Sequence, residues 1–466
     1  MNAFMRATMH CTLAAVATAQ GQAAQDTKGG DHLPQSTAVY HAVDDRHPLH
    51  ARLDDLASRG IDAVIKDRRY IHQRPELSNR EFETSAYIAA RARSLGLEVR
   101  KPIGRTGVVA VLRGAKPGPT VALRAELDAL PYTEEVDLPF KSTVRATNSH
   151  GETVGVMHAC GHDAHMAMLL GVAATFMQIR DQLPGTILFI FQPGEEGPPP
   201  GEVDGAVQLI NAGVLSGDPH PEVIFGAHFV TRLETGQIGY RVGDLLAGSD
   251  EIDIAVHGRQ AVAETPWDGV DAIVVGSQIV LGLQSITSRQ LDLTRSPAVL
   301  TVTEMHGGQY DSVAELLKMN VVLVWYGRDV RTDIIKRVKR TATNIASSAG
   351  ATADADVVAE MYAPSVYNDP NLTARMRPTL ERVAGNRLLE IGPQTYSDDF
   401  AFYEEKIPGL FVLLGARAPG DEFFPNHSPK FHIDESGILV GVRTLAHLTL
   451  DYMLGAQAAV TGPAAL

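Results

Sequence analysis

Two runs of apolar residues in the first half of the chain constrain its fold more than any other feature. Residues 185–191 read GTILFIF and residues 223–229 read VIFGAHF, and neither run alternates regularly with polar residues. Strands of this kind are buried on both faces, as in sheets that carry helices on either side. Each run also ends at polar residues, which open α/β sheets often gather at one edge.

Helices and further strands surround these two runs. Apolar residues recur at helical spacing in 49–97, where a second helix is predicted to begin after Ser78, and again in 162–177. Short Val-rich segments at 107–113 and 119–123 flank a Gly-Ala-Lys-Pro-Gly turn and are predicted strands. This alternation predicts an α/β fold.

The pattern changes near Ser249. Residues 251–256 alternate polar and apolar side chains, as a half-exposed strand does. The next predicted elements are a helix at 270–284, strands at 298–305 and 321–326, and a helix at 333–348. This β-α-β-β-α order is typical of a compact α+β unit with its helices on one face of an antiparallel sheet.

From residue 364 the first pattern resumes, so the smaller unit is predicted to interrupt the larger one. The predicted boundaries place the larger domain at 49–248 and 363–456 and the insert at 249–362. A chain of 466 residues also exceeds what one hydrophobic core usually serves.

Composition excludes some partners. The chain has 41 Lys and Arg against 55 Asp and Glu, a formal net charge of −14, so we expect neither nucleic acid nor an anionic membrane as a partner. After the first two dozen residues, the sequence has no apolar segment of the length that a membrane span requires.

Residues 1–24 are predicted to be a signal peptide, with Arg6 before a small apolar stretch at 11–19 and alanines at plausible cleavage positions. The protein is therefore expected to be exported, to the periplasm, although an unstructured cytoplasmic tail remains an alternative. The two cysteines are Cys11 and Cys160. Removal of the signal would leave Cys160 without a disulfide partner, so we expect it to be buried or bound to a metal.

Residues 158–165 read HACGHDAH and begin a predicted helix. Cys160 and His162 are two residues apart in a turn that contains glycine, so a thiolate and an imidazole can converge on one cation. The alternative, a chance group of buried polar residues, would require each of them to find a hydrogen-bond partner.

Five other residues follow apolar strands or lie in a late loop. Glu195 and Glu196 lie in the turn after the run at 185–191, where one carboxylate could bind a metal while the other faces a water; a solvated acidic turn is the alternative. His228 and His427 are weak candidates by themselves, because a lone histidine is more often a satisfied core residue. Asp128 also follows an apolar strand and could orient a metal-bound histidine or bridge the site.

The chain resembles the M20 family of metallopeptidases, in its amidohydrolase branch of hippurate hydrolase-like and auxin-conjugate hydrolase-like enzymes. The resemblance covers roughly residues 53–453. The matching segments, in chain order, are HQRPE at 72–76, RAELDALP at 124–131, MHACGHDAH at 157–165, QPGEEG at 192–197, GAH at 226–228 and NHSP at 426–429.

The resemblance implies a metal-binding catalytic α/β domain interrupted by a smaller α+β lid domain of the dimerisation type. It implies two divalent cations, manganese or zinc, a small amide substrate, and Glu195 as the general base, and it leaves a homodimer through the insert open. The implied metal ligands are Cys160, His162, Glu196, His228 and His427.

The chain departs from the family on the substrate side. Val262 stands where the branch carries a histidine thought to reach the active site across a dimer. The family's Asn-x-Ile-Pro segment is not recognisable in 307–317, although Arg328 is a candidate for the arginine that follows it, and Tyr396 replaces a glycine.

Two hypotheses of different classes follow. The first is an amidohydrolase that acts on N-acyl amino acids, aryl amides or short peptides. The second is a metal-binding protein that captures small acylated ligands without efficient turnover. A structural zinc protein is disfavoured, because structural sites are usually closed and need no adjacent free carboxylate.

Overall fold

The computed structural model describes residues 47–295 and 297–461. The predicted signal peptide at 1–24, including Cys11, lies outside these residues. Within the described part, the two largest β-sheets do not share a hydrophobic core. None of the helices described is long and apolar enough to cross a membrane.

The helices are α1 Pro48–His72, α2 Phe82–Ser94, α3 His162–Met177, α4 Gly205–Asn211, α5 Ala272–Ser285, α6 Arg328–Ser348, α7 Pro370–Ala384, α8 Ala401–Glu404 and α9 Ser436–Thr461. The strands are β1 Glu98–Ile103, β2 Gly107–Arg113, β3 Lys116–Glu126, β4 Arg145–Thr147, β5 Thr153–Gly155, β6 Pro184–Gln192, β7 Val223–Glu234, β8 Ile238–Tyr240, β9 Gly243–Asp244, β10 Gly248–His257, β11 Ala261–Val262, β12 Ala298–Gln309, β13 Ser312–Trp325, β14 Thr352–Ala363, β15 Tyr367–Asn368, β16 Leu388–Glu390 and β17 Gly409–Arg417.

The larger sheet has eight strands in the order β1-β2-β6-β3-β7-β17-β8-β16. Its centre is parallel, since β3 pairs in parallel with both β6 and β7, and β7 pairs in parallel with β17. Alternate side chains of these strands enter two cores, one shared with α1, α3 and α9 and the other with α4 and α8. The two apolar runs are therefore buried on both faces, as their composition predicts.

Helix α3 lies against the sheet, between it and two other helices. Nearly all of its side chains are buried, which fits its lack of a polar face. Gly171 allows the close approach, because a Cβ there would lie 2.8 Å from a methyl group of Val64 and 3.1 Å from one of Val442. The start of α3, at His162, is thereby fixed at the carboxyl end of the parallel strands.

The second sheet is antiparallel and contains β12, β13, β10 and β14 in that order, with the short β11 beside β13. Helices α5 and α6 cover one face around the buried Trp325. This is the predicted α+β unit with helices on one face, and the predicted fold class is confirmed. The exact domain boundaries at 248/249 and 362/363 stay predictions.

Two strands of this sheet were predicted wrongly. β13 begins at Ser312, whereas the predicted strand began at 321. The first nine residues were missed because the segment 312–320 mixes charged and apolar residues without a clear period. β14 was missed altogether, since residues 353–356 alternate alanine with aspartate, two residues with a low preference for strands. β14 nonetheless pairs within the second sheet, and its alanines Ala353 and Ala355 face the core of that sheet.

Candidate metal centre

All five predicted ligands and Glu195 meet at the carboxyl end of the larger sheet. The Cys160 Sγ atom lies 3.3 Å from Nε2 of His228 and 3.3 Å from Nε2 of His427. The Oε1 atom of Glu196 lies 3.2 Å from Nε2 of His427 and 3.7 Å from Nε2 of His162. Side chains from four distant segments of the chain thus converge on one small volume.

Local backbone geometry explains how each group reaches this volume. Gly161 has φ +99°, a conformation that few residues other than glycine adopt, and it turns the chain between Cys160 and the first residue of α3. Gly194, with φ +56°, makes the turn that follows β6 and presents Glu195 and Glu196.

The loop that carries His427 is tied to the same edge. The backbone N–H of His427, a residue with φ +63°, donates to the carbonyl of Ala159 at 2.9 Å. The side-chain amide of Asn426 donates to the carbonyls of Cys160, at 3.2 Å, and Phe229, at 2.9 Å. His427 is therefore positioned by the backbone that positions Cys160.

The hydrogen bonds of two histidines leave one ring nitrogen of each free for a metal. His162 Nδ1 lies 2.9 Å from the carbonyl oxygen of Asp128, and His228 Nδ1 lies 2.9 Å from that of Phe229. A carbonyl oxygen only accepts, so each Nδ1 carries the proton and each Nε2 keeps its lone pair. Both Nε2 atoms face the ligand group, the arrangement found when a second hydrogen bond orients a metal-binding imidazole.

Asp128 lies behind the ligands and supports two of them. Its Oδ1 atom is 3.4 Å from Nδ1 of His162, and its Oδ2 atom accepts hydrogen bonds from Ser78 Oγ and from the backbone N–H of Glu196. The carboxylate is fully buried. Of the two roles that sequence suggested for Asp128, the contacts favour the orientation of His162.

The electrostatics of the group call for a cation. Burial, together with the charges of Glu196 and Glu195, raises the pKa of the Cys160 thiol well above its usual value. Burial alone would lower the pKa of His162, but its hydrogen bond to Asp128 and the charges of Glu126, Asp128 and Glu196 raise it to about 10. Negative charge in a buried volume contributes to both shifts.

The donor set fits a divalent metal. His162 Nε2 and Glu196 Oε1 are buried and have no hydrogen-bond partner among the residues that the structure describes. Unpaired buried polar atoms are costly, and a cation between them would satisfy both. A mixed thiolate, imidazole and carboxylate set suits first-row cations such as zinc and manganese.

Sequence reasoning missed a set of buried groups next to the ligands. His165 Nδ1 lies 2.7 Å from Glu126 Oε2, and its Nε2 accepts from the backbone N–H of Phe229 at 2.9 Å. Both ring nitrogens are thus occupied, so His165 braces Glu126 and β7. A signal existed, because His165 lies three residues after His162 on the same face of α3.

Arg124 is the second missed group. Its buried guanidinium contacts Glu126 and lies 3.1 Å from Asp398 and 2.6 Å from Asp399. The carboxylates of Asp398 and Asp399 share a volume with that of Glu195. Arg124 thereby balances the negative charge of these carboxylates.

The residues that depart from the family pattern lie in two places. Val262 is in β11 of the second sheet, opposite Ser312, and 59% of its side chain surface is exposed. Tyr396 lies in the loop before Asp398, and its backbone carbonyl accepts from the N–H of Ala247 at 3.0 Å. Neither replacement disturbs the ligand group.

Comparison with known proteins identifies the fold and the chemistry. Residues 122–451, most of the chain, match peptidase family M20/M25/M40. The chain belongs to this family. It is a metal-dependent amide hydrolase, as the resemblance predicted, with an α/β domain interrupted by an inserted lid domain.

Its relatives include carboxypeptidases and deacetylases. The thermostable carboxypeptidase 1 of Saccharolobus solfataricus is 36% identical over 392 residues, which cover 84% of this chain and 94% of that protein. The N-acetylcysteine deacetylase of Bacillus subtilis is 34% identical over 389 residues, covering 83% and 96%. A solved structure, the YXEP protein of Bacillus subtilis, a dinuclear metal-binding peptidase from the M20 family, has a TM-score of 0.72 at 32% identity and covers 85% of this chain and 99% of its own.

Proposed function

We propose that this enzyme hydrolyses the amide bond of N-acyl amino acids, or of related amides and short peptides, with Glu195 as the general base. The position of Glu195 carries the proposal. Its carboxylate lies 3.7 Å from His162 Nε2, beside the ligands, yet it makes no hydrogen bond within the described part of the chain. A largely buried carboxylate next to candidate metal ligands and without a structural partner is suited to proton transfer.

We propose that Cys160, His162, Glu196, His228 and His427 hold two divalent cations, manganese or zinc. A divalent cation in this group supplies a Lewis acid that acidifies water and polarises an amide carbonyl. The dinuclear centre of the YXEP protein supports the number of ions. The mixed donor set leaves the choice between the two metals to their availability.

The residues of the chain perform the proton transfers. Glu195 takes a proton from the attacking water and passes it to the leaving nitrogen. Burial raises the pKa of Glu195, and the charges of Asp398, Glu196 and Asp399 raise it further. These charges favour the protonated form of Glu195, so they increase its strength as a base. Asp128 keeps His162 and Glu196 in place while the proton moves.

Elemental analysis combined with a hydrolysis screen tests the proposal. The screen uses N-acetyl and N-benzoyl amino acids and short peptides, with wild type, Glu195→Gln and the exposed control Glu264→Gln. Bound divalent metal, with turnover that falls by roughly 100-fold or more in Glu195→Gln and is unchanged in the control, is the expected result. Equal turnover in wild type and Glu195→Gln would exclude Glu195 as the base. Bound metal without any turnover in wild type would favour a metal-binding protein that captures acylated ligands.

We further propose export to the periplasm with removal of residues 1–24. Arg6 and the apolar stretch at 11–19 support this proposal. Mass spectrometry of the protein from fractionated cells tests it, since an intact N-terminus in the cytoplasmic fraction would contradict export.

We also propose a homodimer through the inserted domain, because β12 is an edge strand of its sheet. Sedimentation velocity would measure the mass of the particle in solution, and a monomer mass would contradict the dimer.

A further inference from the structure

Arg232 is an exposed arginine near the end of β7, four residues after His228 on the same strand. The pairing of β7 with β17 is irregular between Val230 and Glu234, and Arg232 is exposed in this stretch, whereas Val230 is buried. No carboxylate of the described residues pairs with Arg232. Its neighbour Arg417, in contrast, lies 3.4 Å from Glu234 and also donates to the carbonyl of Thr231.

The loop that carries His427 places Arg232 at the rim of the metal centre. Thr231 N–H donates to the side-chain oxygen of Asn426 at 3.4 Å, and the amide of Asn426 donates to the carbonyl of Cys160. The same loop provides Phe423, whose ring centre lies 5.6 Å from the guanidinium carbon of Arg232. Such stacking holds a guanidinium in place without neutralising its charge.

Tyr396 lies on the loop that leads to Asp398. Burial raises the pKa of its phenol, the charges of Cys160 and Asp398 raise it further, and Arg232 opposes them. Because Asp398 shares the volume of Glu195, this loop borders the ligand group. The Tyr396 phenol makes no hydrogen bond in the described part of the chain, so its O–H is available to a ligand.

The charge of this rim differs from that of its surroundings. The chain carries a net charge of −14, and the volume around the ligands contains the carboxylates of Glu126, Glu195, Glu196, Asp398 and Asp399. An unpaired guanidinium beside such a group is the feature that can recognise an anion. A guanidinium offers two parallel N–H donors, which match the two oxygens of a carboxylate.

We propose that Arg232 binds the free carboxylate of the substrate, with the phenol of Tyr396 as a second donor. The enzyme then prefers N-acyl amino acids with a free carboxylate over the same compounds capped as primary amides. This inference rests on the proposed amidohydrolase function and adds a specificity residue to it. Arg232 acts in substrate binding, so its loss raises KM more than it lowers kcat.

Matched acid and amide substrates test the proposal. The probes are N-acetyl-L-methionine, N-acetyl-L-cysteine and N-benzoylglycine, each compared with its primary amide. In every probe the measured reaction is cleavage of the bond between the acyl group and the nitrogen of the amino acid. For wild type we expect kcat/KM at least about tenfold higher for the acids, as loss of one charge-assisted hydrogen bond implies. Arg232→Gln should remove this preference through KM, with the amides cleaved within about twofold of the wild-type rate.

Three further variants sharpen the test. Arg232→Lys should keep part of the preference for acids, and Tyr396→Phe should raise KM for the acids by a few-fold. The control Arg289→Gln, which replaces an exposed arginine of the inserted domain, should change neither the preference nor KM. Equal kcat/KM for acids and amides in wild type, or an unchanged acid preference in Arg232→Gln, would overturn the inference.

A binding measurement separates this inference from the proposed function. Calorimetry with N-acetyl-L-methionine compares Glu195→Gln with the double variant Glu195→Gln, Arg232→Gln, and we expect a loss of affinity of about tenfold or more in the double variant. Acid-selective binding without turnover in wild type would retain the carboxylate site and reject the hydrolase. Turnover that depends on Glu195 but is equal for acid and amide substrates would retain the proposed hydrolase function and reject the role of Arg232 in carboxylate binding.

Discussion

Arg124 shows how a single side chain permits the acidity of the site. Its guanidinium is buried and lies between Glu126, Asp398 and Asp399, while Gln192 accepts one more hydrogen bond from it. Without a cation at this point, three carboxylates would be buried next to Glu195 with no charge to balance them. Arg124 is thus needed for the fold of the site before any metal binds.

Replacement of Arg124 by methionine should therefore destabilise the protein strongly. Removal of one partner from a buried ion pair costs about 3–5 kcal/mol, because the remaining charge has no compensation. Urea unfolding measures the change, and Arg145→Met, at an exposed position of β4, is the matched control. A loss below about 1 kcal/mol, or an equal loss in the control, would contradict this interpretation of Arg124.

Asp128 gives a second prediction at this scale. Asp128→Asn keeps the shape of the side chain and the backbone carbonyl that orients His162, but it removes the charge behind the ligand. Changes to groups that orient metal ligands typically cost 10- to 100-fold in metal affinity or activity, so we expect a loss in this range. A competitive chelator titration measures it, with the exposed Asp137→Asn as control. Unchanged metal affinity would assign Asp128 no part in the centre.

Among the elements, the short helix α8 carries a buried acid whose ionisation opposes folding. One oxygen of Glu404 accepts from the backbone N–H of Tyr367 in β15 at 2.6 Å, and the other has no hydrogen-bond partner within the described residues. Burial raises the pKa of Glu404 well above its usual value, and the nearby charges of Asp398, Asp244 and Asp369 add to the effect. The folded protein therefore favours the neutral acid.

Glu404→Gln should stabilise the protein at alkaline pH and give no advantage in acid. Below about pH 4 the carboxyl is protonated in both the folded and the unfolded chain; as the pH rises, the unfolded chain ionises first and folding loses stability. Glutamine keeps the carbonyl acceptor and cannot ionise. Urea unfolding at pH 4.5 and pH 8 should show a gain of about 1 kcal/mol or more only at pH 8. The exposed Glu83→Gln should show none, and a gain at both pH values would contradict the role of ionisation.

Sequence predicted the elements with a clear period and missed those without one. The observed β2 and α3 have the predicted bounds, since unbroken apolar runs and helical spacing leave few alternatives. β14 was missed because its alternating alanines carry little strand preference, and only the core of the second sheet explains them. Pairing across a sheet is a long-range property, which a local pattern does not contain.

The same limit applies to the centre. Cys160 and His162 could be predicted from the sequence because they lie two residues apart in an unusual cluster. Glu195 and Glu196 could be predicted because they follow a buried strand. His228 and His427 required the family resemblance. Arg124, Asp398 and Arg232 acquire their roles only from neighbours that lie far away in sequence, so sequence reasoning gave them none.

At the scale of the whole molecule, the metal centre joins segments of the larger domain alone. The proposed ligands come from the start of α3 and the residues just before it, the turn after β6, the strand β7 and the loop after β17. The second sheet contributes none of them. Both tryptophans of the chain, Trp267 and Trp325, lie in the inserted domain, so their fluorescence reports on that domain and not on the metal centre.

This division predicts that removal of the metal destabilises one domain selectively. A ligand at 100 times its Kd stabilises the state that binds it by about 2.7 kcal/mol, which corresponds to several degrees in Tm for a domain of this size. Chelation should lower the thermal transition followed by far-ultraviolet circular dichroism, to which the larger domain contributes most, and leave the transition followed by tryptophan fluorescence in place. Cys160→Ser, with a weakened centre, should begin at a lower Tm and respond less to the chelator. A joint shift of both signals would instead mean that the two domains unfold as one unit, and no shift in either would contradict a metal that stabilises the fold.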